Sequence, residues 1–223
     1  SDGALTTAAS SSVVITVGAA AKVAFTTQPS SSTGGVAFAT QPVVTVQDLG
    51  GNTVVGNTSA VTLTLTVAGS GSLTCTTNPQ AAVAGVATFA GCKIDVASTY
   101  TLTATDGSLT TAASGSVVIT TGAAAMLRYL QQPVGSTAGT NFPTQPQVRI
   151  TDLGGNTVTT NTSSVTLTLV GGSGVLTCTL NPEVAVAGIT SFSGCKISLA
   201  GSYTINATDG ALTAITSNTV TIV

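Results

Sequence analysis

One stretch of fourteen residues recurs in this chain of 223 residues, and it constrains the fold more than any other feature. Residues 41–54 read Gln-Pro-Val-Val-Thr-Val-Gln-Asp-Leu-Gly-Gly-Asn-Thr-Val, and a closely similar stretch occupies residues 145–158, 104 positions later. Both copies join a strand-like apolar run to a turn sequence, because Asp hydrogen-bonds its own backbone and Gly adopts positive φ. The chain is therefore built from repeats of about 100 residues, each large enough to bury a core.

A second duplication sets the boundaries of the repeats. Residues 1–18 are identical to residues 105–122 at fourteen of the eighteen positions. We therefore interpret residues 1–18 as the final strand of a preceding repeat, 19–122 as repeat 1 and 123–223 as repeat 2. One interpretation of residues 1–18 is that the sequence begins inside a longer array of repeats. The other is that these residues form a free strand that completes a sheet in a neighbouring subunit. Pairing within the chain and pairing with another chain both stay open here.

The residue pattern within each repeat predicts an all-β fold. Val61, Leu63 and Leu65 alternate with threonines, as expected of a strand with one buried face. Threonine makes up about a fifth of the chain, and Thr and Val are strand-forming residues with branched side chains. Roughly seven such short runs per repeat, separated by turn residues, predict two tandem antiparallel β-sandwiches.

Composition excludes several functions. Charged residues make up 5% of the chain and the net charge is −2, so the basic patch that binds nucleic acid is missing. No apolar run approaches the ~20 residues of a membrane span. The chain has no histidine, which rules out a Ser-His-Asp or Cys-His catalytic arrangement. We therefore expect neither an enzyme nor a cofactor site.

The acidic residues are better suited to turns than to chemistry. Four of them, Asp48, Asp106, Asp152 and Asp209, precede a glycine within two positions. Calcium at a junction between domains is the alternative, although each turn offers one carboxylate and calcium prefers several. The predicted structural turns consist of Asp48, Gly50, Gly51 and Asn52 in repeat 1, and of Asp152, Gly154, Gly155 and Asn156 in repeat 2.

Each repeat contains two cysteines, separated by 17 residues. Zinc sites favour closely spaced cysteines together with histidine, and neither is present. We predict one disulfide per repeat, Cys75–Cys92 and Cys178–Cys195, while reduced and inert thiols remain the alternative. Disulfides imply an oxidising, extracellular setting.

Three sequons mark potential glycosylation sites, at Asn57, Asn161 and Asn206. Because Thr and Ser are so common here, sequons also arise by chance. Lys93 and Lys196 recur in equivalent positions and could in principle form an intramolecular Lys–Asn crosslink, but an exposed lysine is the simpler expectation.

Three motifs carry a family resemblance. They are residues 46–54, Gly85-Val-Ala-Thr-Phe89 and Ser98-Thr-Tyr-Thr-Leu-Thr-Ala-Thr105, with counterparts at 150–158, 188–192 and 201–208. With them the chain resembles the tandem bacterial immunoglobulin-like (Ig-like) repeats of large surface proteins, such as invasin-type adhesins. The resemblance implies an Ig-like fold for both sandwiches and a corner tyrosine, with its hydroxyl bonded to the backbone, at Tyr100 and Tyr203. Antibody-type domains pack a Trp on an inter-sheet disulfide. This chain has no Trp, and its cysteines are expected to link neighbouring strands instead.

These features favour a structural module of an extracellular, cell-surface protein that forms a stalk or filament. Its expected partners are further Ig-like repeats of the same protein, with self-association into fibres as an extension. The alternative is an adhesin module that binds a glycan or a host protein through loops at one end of the sandwich. Tyr129 and Phe142 are weak candidates for such contacts, and packing in the core or at an interface is the simpler expectation for both. The near-identity of the turn loops in the two repeats favours the structural role.

Overall fold

The computed structural model describes residues 10–66 and 70–223, and within these ranges it contains strands and turns but no helix. The strands of the first half are β1 (Lys22–Thr27), β2 (Ser32–Thr33), β3 (Val43–Gln47), β4 (Ala60–Thr66), β5 (Leu73–Thr74), β6 (Gln80–Ala81), β7 (Val86–Thr88), β8 (Lys93–Ile94), β9 (Ser98–Thr105), β10 (Ala112–Ala113) and β11 (Val117–Thr120). Those of the second half are β12 (Met126–Gln131), β13 (Gln147–Thr151), β14 (Ser164–Val170), β15 (Leu176–Thr177), β16 (Glu183–Val184), β17 (Ile189–Ser191), β18 (Lys196–Ile197), β19 (Gly201–Thr208), β20 (Ile215–Thr216) and β21 (Val220–Ile222). None of the described residues therefore belongs to a helix that could span a membrane.

Alternating side chains explain why the long strands form. In β4, Val61 and Leu63 are buried while Thr64 and Thr66 are exposed. A strand places successive side chains on opposite faces, so this pattern gives one apolar face and one hydroxyl-bearing face. In β9 the same alternation buries Tyr100 among other apolar side chains.

The first unit, β1–β11, arranges its strands in two main sheets. One sheet has the order β1-β3-β7, and the other has the order β2-β11-β9-β4-β6 with β10 also paired to β9. The main ladders are antiparallel, including β4 with β9 and β1 with β3. One short ladder departs from the predicted antiparallel pattern, because β2 runs parallel to β11, with Ile119 opposite Ser32.

The second unit, β12–β21, repeats this arrangement. Its sheets have the orders β12-β13-β17 and β16-β14-β19-β20, and β21 pairs with the other end of β19. The β2 equivalent is missing from its strands, although the same loop is present. In each unit a two-stranded ladder, β5 with β8 or β15 with β18, stands apart from the main sheets.

Two separate clusters of buried apolar side chains form the cores. The first cluster includes Val44, Phe89 and Leu102, and the second includes Val148, Phe192 and Ile205.

Each cluster fills the space between the two sheets of its own unit, as in a β-sandwich. The predicted fold class, all-β with two tandem Ig-like antiparallel β-sandwiches, is confirmed.

Residues 10–18 precede the first sandwich and pair with no strand. The apolar side chains of Val13, Val14 and Ile15 are exposed. Residues 1–9, the remainder of the predicted final strand of a preceding repeat, lie outside the described residues.

Candidate functional site: the joint between the sandwiches

The two sandwiches meet at the repeated turn of the second unit. Strand β11 ends at Thr120, and the chain continues through Gly122 to β12 without a spacer. The Gly122 N–H donates a 2.8 Å hydrogen bond to Oδ2 of Asp152, while Oδ1 of Asp152 accepts from the N–H groups of Gly154 and Asn156, each at 2.9 Å. One buried carboxylate thereby fixes the turn and anchors the linker.

Asn156 carries the contact across the joint. Its Nδ2 donates a 2.8 Å hydrogen bond to the Asp95 carbonyl oxygen, and its Oδ1 accepts a 2.8 Å bond from the Ala97 N–H. The same Nδ2 also lies within hydrogen-bond distance of the Asp152 carboxylate. The side-chain amide therefore satisfies two main-chain groups of the first unit and remains tied to its own turn.

Glycines bring the two backbones together at this joint. A Cβ atom built on Gly34 would collide with the Asn156 amide and lie 2.6 Å from the Asp95 carbonyl oxygen. One built on Gly35 would lie 2.6 Å from the Gly154 nitrogen, and one on Gly154 would collide with the Asp95 oxygen. Since real Cβ atoms do not approach other atoms so closely, this packing requires residues without side chains.

The first unit carries the same turn in the same conformation. The Gly18 N–H donates a 2.9 Å bond to Oδ2 of Asp48, and the Asn52 N–H donates a 2.8 Å bond to Oδ1. The hydrogen bond from Gly18, followed by those from Asn52, lowers the pKa of Asp48 from 3.8 to about 2, because donors stabilise the ionised form. Among the described residues no other unit packs on this turn, and Asn52 makes only contacts within it.

The other predicted turn acids have a different role. The hydroxyl of Ser59 bonds to the Asp106 carboxylate and also to Oδ1 of Asn57. The second unit repeats this group with Ser163, Asp209 and Asn161, of which Asn161 and Ser163 belong to the second sequon.

The first two sequon asparagines thus use their side-chain oxygens to hold a loop. At the third sequon, Oδ1 of Asn206 accepts a 3.3 Å hydrogen bond from the Thr216 hydroxyl.

Each predicted corner tyrosine bonds to the backbone just before its own strand. The Tyr100 hydroxyl donates to the Val96 carbonyl at 3.0 Å, and the Tyr203 hydroxyl donates to the Leu199 carbonyl at 3.1 Å. Burial, followed by the negative charge of Asp95, raises the pKa of Tyr100.

In the structure the disulfides connect Cys75 to Cys92 and Cys178 to Cys195. Each disulfide lies directly beside the two-stranded ladder of its unit, which is β5 with β8 in the first unit and β15 with β18 in the second.

The two aromatic residues considered for glycan binding face the protein. Phe142 is buried in the second core. Tyr129 is half-buried against the same core, its hydroxyl donates a 2.9 Å bond to the Ile205 carbonyl, and burial raises its pKa. Among the described residues, no three His, Cys, Asp or Glu side chains lie close enough together to hold a metal ion.

Sequence reasoning missed several residues that hold the loops of each sandwich. Asn78 donates to the Leu63 carbonyl at 2.8 Å and accepts from the Leu63 N–H at 3.0 Å, which fixes β4 to the loop before β6. Gln41 bonds to the backbone of Phe38 and Cys92 in a similar way. Their recurrence as Asn181 and Gln145 was the available signal.

Comparison with known proteins finds distant structural similarity. Neither a protein-family model nor the sequence of a characterised protein matches the chain. Several solved structures do. The D0-D1 domain of intimin is 16% identical, with 89% of this chain and 97% of that chain covered and a TM-score of 0.35. The Yersinia pseudotuberculosis adhesin InvE is 17% identical, with 90% and 58% covered and a TM-score of 0.35.

A further similarity is to a glycosyl hydrolase family 2 member from Bacteroides cellulosilyticus, at 12% identity and a TM-score of 0.40. It covers 82% of this chain, which in turn spans 23% of the hydrolase. These identities and TM-scores are too low to transfer a function, which is therefore inferred from the contacts of this chain.

Proposed function

We propose that the chain is a structural module of an extracellular surface protein, in which tandem Ig-like units form a stiff stalk or filament. The observation that supports this role most strongly is the joint. Asn156 bonds to the Asp95 carbonyl and the Ala97 N–H of the other unit, at 2.8 Å each. A hinge between independent domains would leave these main-chain groups to water.

The positions of the anchors explain why the joint resists bending. The linker is held at Gly122 by Asp152, and a second contact is made where Gly34 and Gly35 pack against Gly154. Two separate anchors restrict rotation about the linker more than a single point would. Where Gly35 packs on Gly154 the contact is between main chains, so no side-chain rotation can loosen it.

An extracellular location agrees with the covalent chemistry. Each sandwich has a disulfide that closes a loop with a sequence separation of 17, and such bonds persist in oxidising compartments. A chain with 5% charged residues, in which threonine covers the outer strand faces, also suits units that are held in an array.

Small-angle X-ray scattering of the full chain, combined with electron microscopy, tests the proposal. We expect a two-unit rod with a maximum dimension of roughly 8 nm, taking about 4 nm per sandwich from typical strand lengths. One fixed orientation between the units should fit the data. Scattering that requires a broad distribution of orientations between the units would refute the stiff joint.

A second candidate function, adhesion, is favoured by one observation. Arg128 on β12 lies directly opposite Arg149 on β13, and the buried Nε of Arg149 finds no acceptor among the described residues. The equivalent pair in the first unit is Ala24 and Thr45. A cationic pair found in one unit alone fits binding of an acidic glycan.

Titration of the full chain with a sulfated oligosaccharide, followed by NMR, tests this second function. Shifts near β12 and β13 that disappear in the Arg128→Ala, Arg149→Ala double variant would support it. Unchanged spectra would remove it.

A further inference from the structure

The Asp48–Asn52 turn of the first unit has the same conformation as the Asp152–Asn156 turn in the joint. Among the described residues, no other unit covers its outer face. Leu49 at its tip is 87% exposed, whereas the equivalent Leu153 in the joint is 56% exposed. Most inner hydrogen bonds are the same in both turns: Gly18 donates to Asp48 as Gly122 donates to Asp152. The turns differ chiefly in their contacts with another unit.

Within its own unit, a side chain at position 50 would be crowded but not excluded. Its φ lies outside the left-handed region, and the atoms nearest to an added Cβ belong to its own turn, at 3.1 Å from Asn52 Nδ2 and 3.3 Å from Asp48 Oδ1. The equivalent Gly154 cannot carry a Cβ because the Asp95 carbonyl of the neighbouring unit occupies that space. A glycine at position 50 therefore fits a turn that packs against a carbonyl of another unit.

Residues 10–17 have the sequence of a closing strand. Val13 and Ile15 correspond to Val117 and Ile119 of β11, which are buried in the first core, but here they are exposed. This segment leads into Gly18 and the turn as β11 leads into Gly122. Its apolar side chains match a sandwich that would take it as the last strand.

The residue at position 34 decides which unit ends can dock. Gly34 admits the amide of Asn156, and its N–H donates to the carbonyl of Thr120 at 2.9 Å. The second unit has Ala138 at this position, and its N–H donates in the same way to the Val223 carbonyl at 2.9 Å. The methyl group of Ala138 therefore occupies the space that an incoming asparagine amide needs.

The same comparison excludes a second copy of this chain as the occupant. The distal end of its first unit, which carries Gly34 and the Ala97 N–H, is already covered by its second unit. The distal end of its second unit is obstructed by Ala138.

We propose that the Asp48–Asn52 turn is the receiving half of another joint, and that its occupant is the distal end of an Ig-like unit with glycine at the position of Gly34. This unit takes residues 10–17 as its last strand, and Asn52 bonds to the main-chain groups equivalent to the Asp95 carbonyl and the Ala97 N–H. The inference rests on the proposed function, because it assumes that the units stack.

The test uses the full chain extended ahead of Ser1 by a second copy of residues 19–104. In the extended chain, residues 1–18 take the place of residues 105–122, to which they are nearly identical, and can close the added sandwich. Amide hydrogen exchange is measured by NMR at Ala97 in both copies. We expect both amides to be protected equally. Asn52→Ala in the original copy should speed exchange about fivefold to tenfold at Ala97 of the added copy and leave the original Ala97 unchanged.

The control variant Asn156→Ala separates the inference from the proposed function. It should speed exchange of the original Ala97 and leave the added copy unchanged. If the original Ala97 is protected but the added one is not, the further inference is wrong while the stiff joint stands. If neither is protected, the proposed function fails.

The glycine requirement has its own test in the extended chain. Gly34→Ala in the added copy should remove the protection of that copy's Ala97. The control Ala138→Gly should change neither Ala97 amide. Protection that survives Gly34→Ala, or concentration-dependent head-to-tail association of the unextended chain, would overturn the assigned occupant.

Discussion

The joint makes its strongest prediction at two identical residues in different surroundings. Asn52 and Asn156 make the same hydrogen bonds within their turns, but Asn156 also makes two 2.8 Å bonds to the first unit. Replacing either by alanine removes the bonds within its turn, so the difference between the variants isolates the contact across the joint. At about 1 kcal/mol net per hydrogen bond, Asn156→Ala should destabilise the chain by about 2 kcal/mol more than Asn52→Ala.

Urea denaturation of the full chain, read from tyrosine fluorescence and amide NMR, measures this difference. Scattering on the same samples should show greater freedom between the units for Asn156→Ala, while Asn52→Ala keeps the fixed orientation. Equal stability losses with unchanged scattering would show that the amide contributes nothing across the joint, and the reasoning from its geometry would be refuted.

Three further predictions concern the individual sandwiches. Replacing Cys75 and Cys92 by serine should cost about 3 kcal/mol by the chain-entropy relation, seen as a lower thermal midpoint that reductant no longer affects in that unit. Because the pKa of Asp48 is lowered to about 2 from 3.8, its stabilising contribution should be complete above about pH 4 and lost as the pH falls towards 2. An NMR titration in which Asp48 ionises near 3.8 would contradict this. Asn78→Ala removes both bonds to the Leu63 backbone and should cost about 2 kcal/mol in urea denaturation, and a loss below a few tenths would refute the role of Asn78.

Much of the fold could be predicted because it depends on local pattern. The alternation in β4 and β9 fixes which side chains face the core, and a one-residue shift would expose all of them. The two-residue strands β2 and β10 were not predicted, because two residues carry no periodicity. They form where a loop happens to lie beside β11 or β9.

The joint could not be predicted in the same way. The turns around Asn52 and Asn156 have the same Asp-Leu-Gly-Gly-Asn sequence, so no local rule distinguishes the one that bonds to another unit. The need for Gly34 depends on a contact with a residue more than a hundred positions away. Sequence reasoning did identify the turn as structural, but it explained the glycines by backbone conformation alone. That explanation suits Gly51, whose φ is +89°, and does not suit Gly50.

The chemistry of the joint explains how repeats can diverge and still stack. Asn156 recognises a carbonyl and an N–H group two residues apart, and these belong to the main chain whatever side chains are present. The equivalent of Asp95 in the second unit is Ser198, and this change leaves both main-chain groups in place. Side chains at the interface are therefore free to vary, except where they would fill the space of Gly34, Gly35 or Gly154. An interface of this kind depends little on charge, which accords with a chain in which 5% of the residues are charged.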